Sequence, residues 1–332
     1  MNINELILKL ENNKELNVYL KGVNNISDNR DCIINENNKW QVFYYERGKK
    51  TALKEFDTEE SACKYYEELI LKNNERNKKK IKKVIEEYKQ QTLKECYTIN
   101  CVEGQPTILD DKIGGNPYLP INIEYPKDKN GNYMPLLIQI NLKNIDLVDY
   151  PKKGILEVFV SKDFDYPSEY VIKYFEEGLE YQTEFPDIDL NNFVLSESIK
   201  IELKKDITHM PLSDYRSKQN IYNAIQKVYG CGLVIDTKEY YKNYITCTDN
   251  WYNEITKSLS IPKANIGGYA DFTQQDPRFN DNEQKTECLL KIDSYLDERI
   301  NIGDSGILFI LIEPSDIKKC RFENATFDWD CC

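Results

Sequence analysis

One histidine, His209, serves the whole chain of 332 residues. A serine or cysteine nucleophile with an imidazole base would have to use it. Its setting between "DIT" and "MPL" reads as a strand running into a proline turn, a structural place. The ten cysteines are scattered and none forms a C-x-x-C pair. Zinc-ribbon spacing is therefore missing, and free, mostly buried thiols are expected. No apolar run approaches the ~18 residues that a membrane-spanning helix needs. The opening "MNINELILKLENNKEL" sets Glu5, Lys9 and Glu11 among its apolar residues, unlike a secretory leader. A cytoplasmic location away from membranes follows as an expectation. Positive charge is also in deficit: 44 Lys and Arg against 56 Asp and Glu give a net charge of −12. That balance argues against general nucleic-acid binding, where cationic side chains supply most of the affinity.

One basic stretch departs from this balance. Residues 76–94, "RNKKKIKKVIEEYKQQTLK", hold eight Lys or Arg against two Glu, a net +6. The stretch is either a solvated helix face or a surface for RNA or an acidic partner. It lies in a long gap without glycine or proline, between Gly48 and Gly104. Within that gap Asp57, with Glu60 three residues on, predicts a capped helix start. Ala62, Tyr66, Leu69 and Ile70 share one helical face, and Ile81, Val84, Ile85, Tyr88 and Thr92 share a second, as one long helix or as two joined near Asn73-Asn74. Ahead of them "LNVYLKGV", "DCII" and "KWQVFYYERGKK" read as strands. The expected organisation is a strand-strand-strand-helix module over residues 1–75, a charged linker helix over 76–96, and a strand-dominated α+β domain over 97–332.

The last region carries β-rich runs at "YTINCV", "PLLIQINL", "GILEVFV", "IKIELK", "GCGLVID", "ECLLKID" and "GILFILIE". Helices are predicted over about 213–228 and within 238–259. The region also repeats itself. "KIGGNPYLP" at 112–120 matches "NIGGYADFT" at 265–273, "LLIQINL" matches "CLLKIDS", and "KGILEVFVSKDF" matches "SGILFILIEPSD". Gly114 to Gly267 is 153 positions, while Ile140 to Ile292 and Gly154 to Gly306 are each 152. Three blocks in one order at offsets of 152 or 153 indicate an internal duplication. The repeat gives the glycine pairs a meaning. Neither Gly114-Gly115 nor Gly267-Gly268 belongs to a phosphate-loop or dinucleotide motif. Pro117 and Pro120 keep an ordinary helix from starting over the first pair. All four glycines are therefore read as corners that need positive φ or close backbone approach.

The blocks "KIGGNPYLP", "PLLIQINL", "KGILEVFV", "GGYADFTQQDPR", "LLKIDS" and "IGDSGILFILI" resemble, in sequence and order, the YwqG-like family of bacterial domains of unknown function. The resemblance covers residues about 97–330 and implies a β-rich α+β fold with no settled activity. Lys291, Tyr295 and Ile302 depart from the pattern associated with that family. The stretch "KWQVFYYERGKKTALKEFDTEESACKYYEELIL" resembles small immunity-type domains of bacterial toxin systems, which implies a protein that binds and blocks a toxin domain.

The densest polar candidates are Gln274, Asp276, Arg278, Asp293 and Asp304, in "FTQQDPRFNDN", "KIDS" and "IGDSG". Carboxylates with an arginine could bind a small ligand or a divalent cation; their other reading is turn chemistry. No catalytic residue, metal set or cofactor is assigned. The expectation is a non-enzymatic protein-binding module, a toxin-neutralising factor, whose partner is another protein. Its alternative is a metal-dependent hydrolase or small-ligand binder using Asp276, Asp293 and Asp304.

Overall fold

The computed structural model describes residues 1–13, 17–162, 168–191, 193–230, 251–279 and 284–332. It forms two compact units, one of Met1–Tyr88 with Asn223–Ser258, the other of Lys89–Tyr222 with Leu259–Cys332. The chain leaves the second unit after residue 222 and returns to it at 259.

In the first unit, helix α1 (Ile3–Asn12) starts with a capping box. Asn2 Oδ1 accepts the Glu5 N–H at 2.9 Å, and Glu5 Oε2 accepts the Asn2 N–H at 3.0 Å. Strands β1 (Arg30–Glu36), β2 (Lys39–Glu46) and β3 (Lys49–Phe56) form an antiparallel sheet in that order. The expected strand at "LNVYLKGV" is instead a 3-10 turn over Asn17–Gly22. Gly22 explains the difference, because a Cβ there would stand 2.1 Å from the Asp31 carbonyl oxygen. The turn presses directly on β1, and only Val23 forms a bridge, to Ile33. The third strand is β3, whose side chains are mostly exposed and carry no alternation to read.

Helix α2 runs over Glu59–Gln91, 33 residues without a break. It joins what the sequence reading divides at residue 75, because nothing between Gly48 and Gly104 interrupts helical hydrogen bonding. Its cap is Thr58, whose Oγ1 accepts the Ser61 N–H at 3.2 Å, while Asp57 pairs with Lys39. Leu6, Leu10, Ile33, Val42, Ala62, Tyr66 and Ile70 close the small core. Further helices are α3 (Ser217–Tyr229) and α4 (Trp251–Ser258). The expected strand "GCGLVID" and most of the 238–259 stretch lie outside the described residues.

The second unit is built on a ten-stranded antiparallel sheet. Its strands are β4 (Lys94–Val102), β5 (Lys112–Ile113), β6 (Leu136–Asn141), β7 (Ile155–Val160), β8 (Tyr170–Phe175), β9 (Ile199–Thr208), β10 (Ala264–Gly267), β11 (Glu287–Asp293), β12 (Ile307–Ile312) and β13 (Thr326–Asp330). The spatial order is β13-β12-β11-β10-β4-β9-β5-β6-β7-β8. β6, β7 and β12 are buried at every residue, which explains their nearly uninterrupted apolar runs. One continuous core, from Ile99 and Ile113 through Val158 to Leu290, Ile310 and Phe327, fills one face. The outermost strands meet through side chains: Tyr170 stacks 5.5 Å from Phe327, and Trp329 Nε1 donates to Ser168 Oγ at 3.2 Å.

This order contains the duplication. β5–β8 and β10–β13 repeat one another, each with a register shift at the equivalent place, between Leu136 and Ile138 and between Cys288 and Leu290. The strand preceding each set is exchanged. β4 pairs with β10 of the second half, β9 pairs with β5 of the first, and β4 and β9 pair with each other at the centre.

The glycine pairs occupy the same corner in both halves, with φ of 72° and 80° at Gly114 and Gly115 and 70° and 71° at Gly267 and Gly268. The second corner is tighter. A Cβ on Gly268 would lie 2.5 Å from Thr208 Cγ2 and 2.9 Å from Cys96 Cβ, against 3.0 Å from Ser198 Cβ for Gly115. Left-handed strain and overpacking together predict that Gly268→Ala destabilises the chain by roughly 2–4 kcal/mol, more than Gly115→Ala does. Urea unfolding of the two variants checks this; a Gly268→Ala protein as stable as its parent would sink the corner reading.

Candidate functional site

Two of the five polar candidates come together. Arg278 lies in a short 3-10 turn after Pro277, fully buried, and forks onto Asp276: Nε to Oδ1 at 2.9 Å and Nη2 to Oδ2 at 2.7 Å. The same Asp276 accepts the backbone N–H groups of Arg278 and Tyr215, both at 3.0 Å. Arg278 Nη2 also reaches Asp214 Oδ2 at 2.8 Å, and Asp214 in turn receives the fork of Arg216 at 2.9 and 2.7 Å. Tyr215 and Phe272 cover Arg278, each ring centre 5.4 Å from the guanidinium carbon. Burial alone would raise the Asp214 carboxyl, but Arg216 and Arg278 outweigh it and hold it below its ordinary range.

Each aspartate accepts both the backbone N–H and the guanidinium fork of the arginine two residues on. Of the four D-x-R spellings in the sequence, Asp28-Asn29-Arg30 sends Arg30 Nε to the Asp28 carbonyl at 3.4 Å, and the fork recurs at Asp214-Tyr215-Arg216, Asp276-Pro277-Arg278 and Asp297-Glu298-Arg299. In the third copy Arg299 forks onto Asp297 at 2.7 and 2.8 Å and holds its carboxyl down at about 2. This repeated spelling, legible in the sequence, is the signal for Asp214 and Arg216, which the candidate set omits. In the buried pair of copies the donors and acceptors face one another, a closed scaffold.

The other three candidates sit on turns. Asp293 ends β11 and accepts the Tyr295 N–H at 2.8 Å. Asp304 is exposed and accepts from Ser305 Oγ at 3.3 Å. Gln274 Nε2 donates to the Cys331 carbonyl at 2.7 Å, while its own N–H and that of Thr273 go to Asp330. Among the described residues no group of three His, Cys, Asp or Glu has the geometry of a metal site. His209 is buried, and its Nδ1 accepts the Ser260 N–H at 3.0 Å. The described cysteines are free, and burial pushes the thiols of Cys96 and Cys288 up to about 12.

A second buried polar row crosses the first half. Lys112, Gln139 and Glu157 are neighbours on β5, β6 and β7, and all three are buried. Lys112 Nζ donates to the carbonyls of Thr107 and Ile108 at 2.8 and 2.9 Å, and Gln139 Nε2 to those of Ile108 and Asp110. Among the described residues neither Glu157 carboxyl oxygen has a hydrogen-bond partner of ordinary geometry. Burial raises Glu157 to about 8, opposed by the nearby Tyr118 backbone N–H and then by the charge of Lys112, and lowers Lys112 to about 8, opposed by the charge of Glu157. The equivalent row of the second half is Asn265, Lys291 and Phe309. There Lys291 Nζ donates to the Pro262 carbonyl at 2.9 Å.

A groove of about 790 Å³ lies beside the first glycine corner. Its floor is fixed where residues 119–123 meet 180–182. Ile121 N–H donates to Glu180 at 3.1 Å, Gln182 N–H to Leu119 at 2.8 Å, and Gln182 Nε2 to both Pro120 and Ile123. Tyr125, Tyr133 and Tyr181 line it with Ile121, Ile123 and Pro186. Tyr125 meets Tyr133 edge-on at 5.6 Å and Phe159 at 5.8 Å. Two further depressions adjoin it. One of about 470 Å³ shares Tyr133, and one of about 180 Å³ at Gly114-Gly115 shares Tyr125 and Pro186. Across the three the charged lining is six carboxylates against two lysines, one of which, Lys162, pairs with Asp189 at 2.6 Å.

Residues 111–331 match the family described as a domain of unknown function, DUF1963. The chain belongs to that family. The DUF1963 match takes in both glycine corners, the D-x-R network and the groove, and it begins after β4. In this chain the DUF1963 sheet is nonetheless completed by β4, which lies between β10 and β9. No curated protein matches the chain.

Proposed function

We propose that the chain is a non-enzymatic protein-binding module that holds a basic, extended segment of its partner in the tyrosine-lined groove. The groove carries this reading. Tyrosine offers large contact area with little rotamer freedom to lose, Ile121 and Tyr133 are half-exposed at 51% and 41%, and the rim is predominantly acidic. Acidic rims speed and select the approach of basic partners. The hydrolase alternative gains nothing comparable, since Asp276 is spent on Arg278.

Within DUF1963, the block order supports a YwqG-like assignment. The net charge of −12 and the likeness of the N-terminal residues to immunity-type domains support a toxin-neutralising role in the bacterial cytoplasm. A gene neighbourhood without a toxin domain would remove that part and leave the groove reading standing. The groove itself is tested by selecting phage-displayed linear peptides on the full chain. Enriched peptides should combine Lys or Arg with apolar residues, and Tyr133→Ala with Tyr181→Ala should weaken a synthetic winner at least about tenfold. Selection of acidic peptides, or affinity indifferent to both tyrosines, would end the proposal.

A further inference from the structure

The small depression at Gly114-Gly115 joins the groove through Tyr125 and Pro186. Leu136, Leu190, Phe193 and Leu195 form the apolar part of its wall around the glycine backbone, and Tyr125 stands on the side shared with the groove. Two carboxylates, Asp187 and Glu197, and no cationic residue belong to its lining. Asp187 is exposed and also lines the acidic depression next door. Glu197 is reached by Arg299 Nη1 at 3.4 Å, but that guanidinium is forked onto Asp297 at 2.7 and 2.8 Å. The volume, about 180 Å³, suits one side chain and not a folded element.

The geometry points to a subsite for one arginine or lysine side chain of the bound segment. This inference rests on the groove reading and names what the groove selects. A long cationic side chain lays its methylene stem on apolar surface and keeps its charged end at the rim. Leu136, Leu195 and Phe193 supply the first requirement, Asp187 and Glu197 the second, and the Tyr125 ring adds a face that attracts cations. An acidic side chain would meet like charge at the mouth. A purely apolar one would use the wall and gain nothing from the carboxylates.

The test uses the full chain with labelled leucine methyl groups, titrated with N-acetyl-arginine amide, N-acetyl-lysine amide and N-acetyl-norleucine amide. The two cationic amides should shift the methyl resonances of Leu136, Leu190 and Leu195 saturably, and norleucine amide should bind at least about tenfold more weakly. Asp187→Asn with Glu197→Gln, both exposed positions, should weaken arginine amide about tenfold and leave norleucine amide unchanged. Added salt should act in the same direction as the double variant. Equal affinity for norleucine and arginine amides would overturn the inference. So would groove-peptide binding with no perturbation of these methyls, an outcome that leaves the groove reading intact. If neither the selected peptide nor any amide binds, both fall together.

Discussion

Arg278→Ala is expected to lower the stability of the DUF1963 region by about 3–5 kcal/mol, the usual loss when one member of a buried ion pair is removed. The size follows from what stays behind. Asp276 and Asp214 would both remain buried, with Asp276 holding only backbone N–H donors and Asp214 only Arg216. A buried carboxylate stripped of its cation either stays charged at high cost or takes up a proton. Arg278→Lys separates charge from shape. It keeps a cation but not the fork that meets Asp276 twice and Asp214 once, so it should fall between the parent and the alanine variant. Urea unfolding followed by tryptophan fluorescence reads both. A loss below about 1 kcal/mol for Arg278→Ala would show that the guanidinium does not hold this corner together.

Glu157→Gln is expected to act in the opposite direction, and only above acidic pH. The carboxyl titrates near 4.5 when unfolded and near 8 in the native protein, because burial disfavours its charge. Between those values the native state keeps the proton that the unfolded state gives up. Stability therefore falls as pH rises from about 4.5 to about 8 and is flat above, as far as this residue is concerned. Lys112 contributes a mirror-image course. Its native value of about 8 lies below the ordinary 10.5, so the unfolded state binds the extra proton between them and stability rises again over that range. The pair together predicts a stability minimum near pH 8. Glutamine removes the acid limb and should raise stability at pH 8 on the order of a few kcal/mol, with little change at pH 4. Removing the carboxylate also withdraws the charge that supports Lys112, so the rising limb should begin lower. Thermal melts of parent and variant from pH 4 to 10 check both limbs; parallel curves would exclude a titrating Glu157.

The strands best read from sequence are those whose physics is local. β6, β7, β11 and β12 are runs of Ile, Leu, Val and Phe bounded by turn residues, and their burial leaves little ambiguity about what they are. The duplication was equally legible, since equivalent corners demand equivalent glycines. β5 and β10, of two and four residues, are too short to show a period. Neither could strand order be seen: no alternation along β4 or β9 tells which half each completes. The polar site divides in the same way. The Asp276–Arg278 pair lies within one turn, whereas Asp214 is 64 residues from Arg278. The groove joins residues 121–133 to 181–186, and its tyrosines look like any others until the chain folds.

The crossing of β4 and β9 has an implication for chain breakage. A protease cutting between β8 and β9 would yield two fragments, each still lending a strand to the other's half of the sheet. Like clasped hands, the pieces would stay joined by backbone pairing and a common core after the covalent link was gone, so a nick in that connection need not release either part.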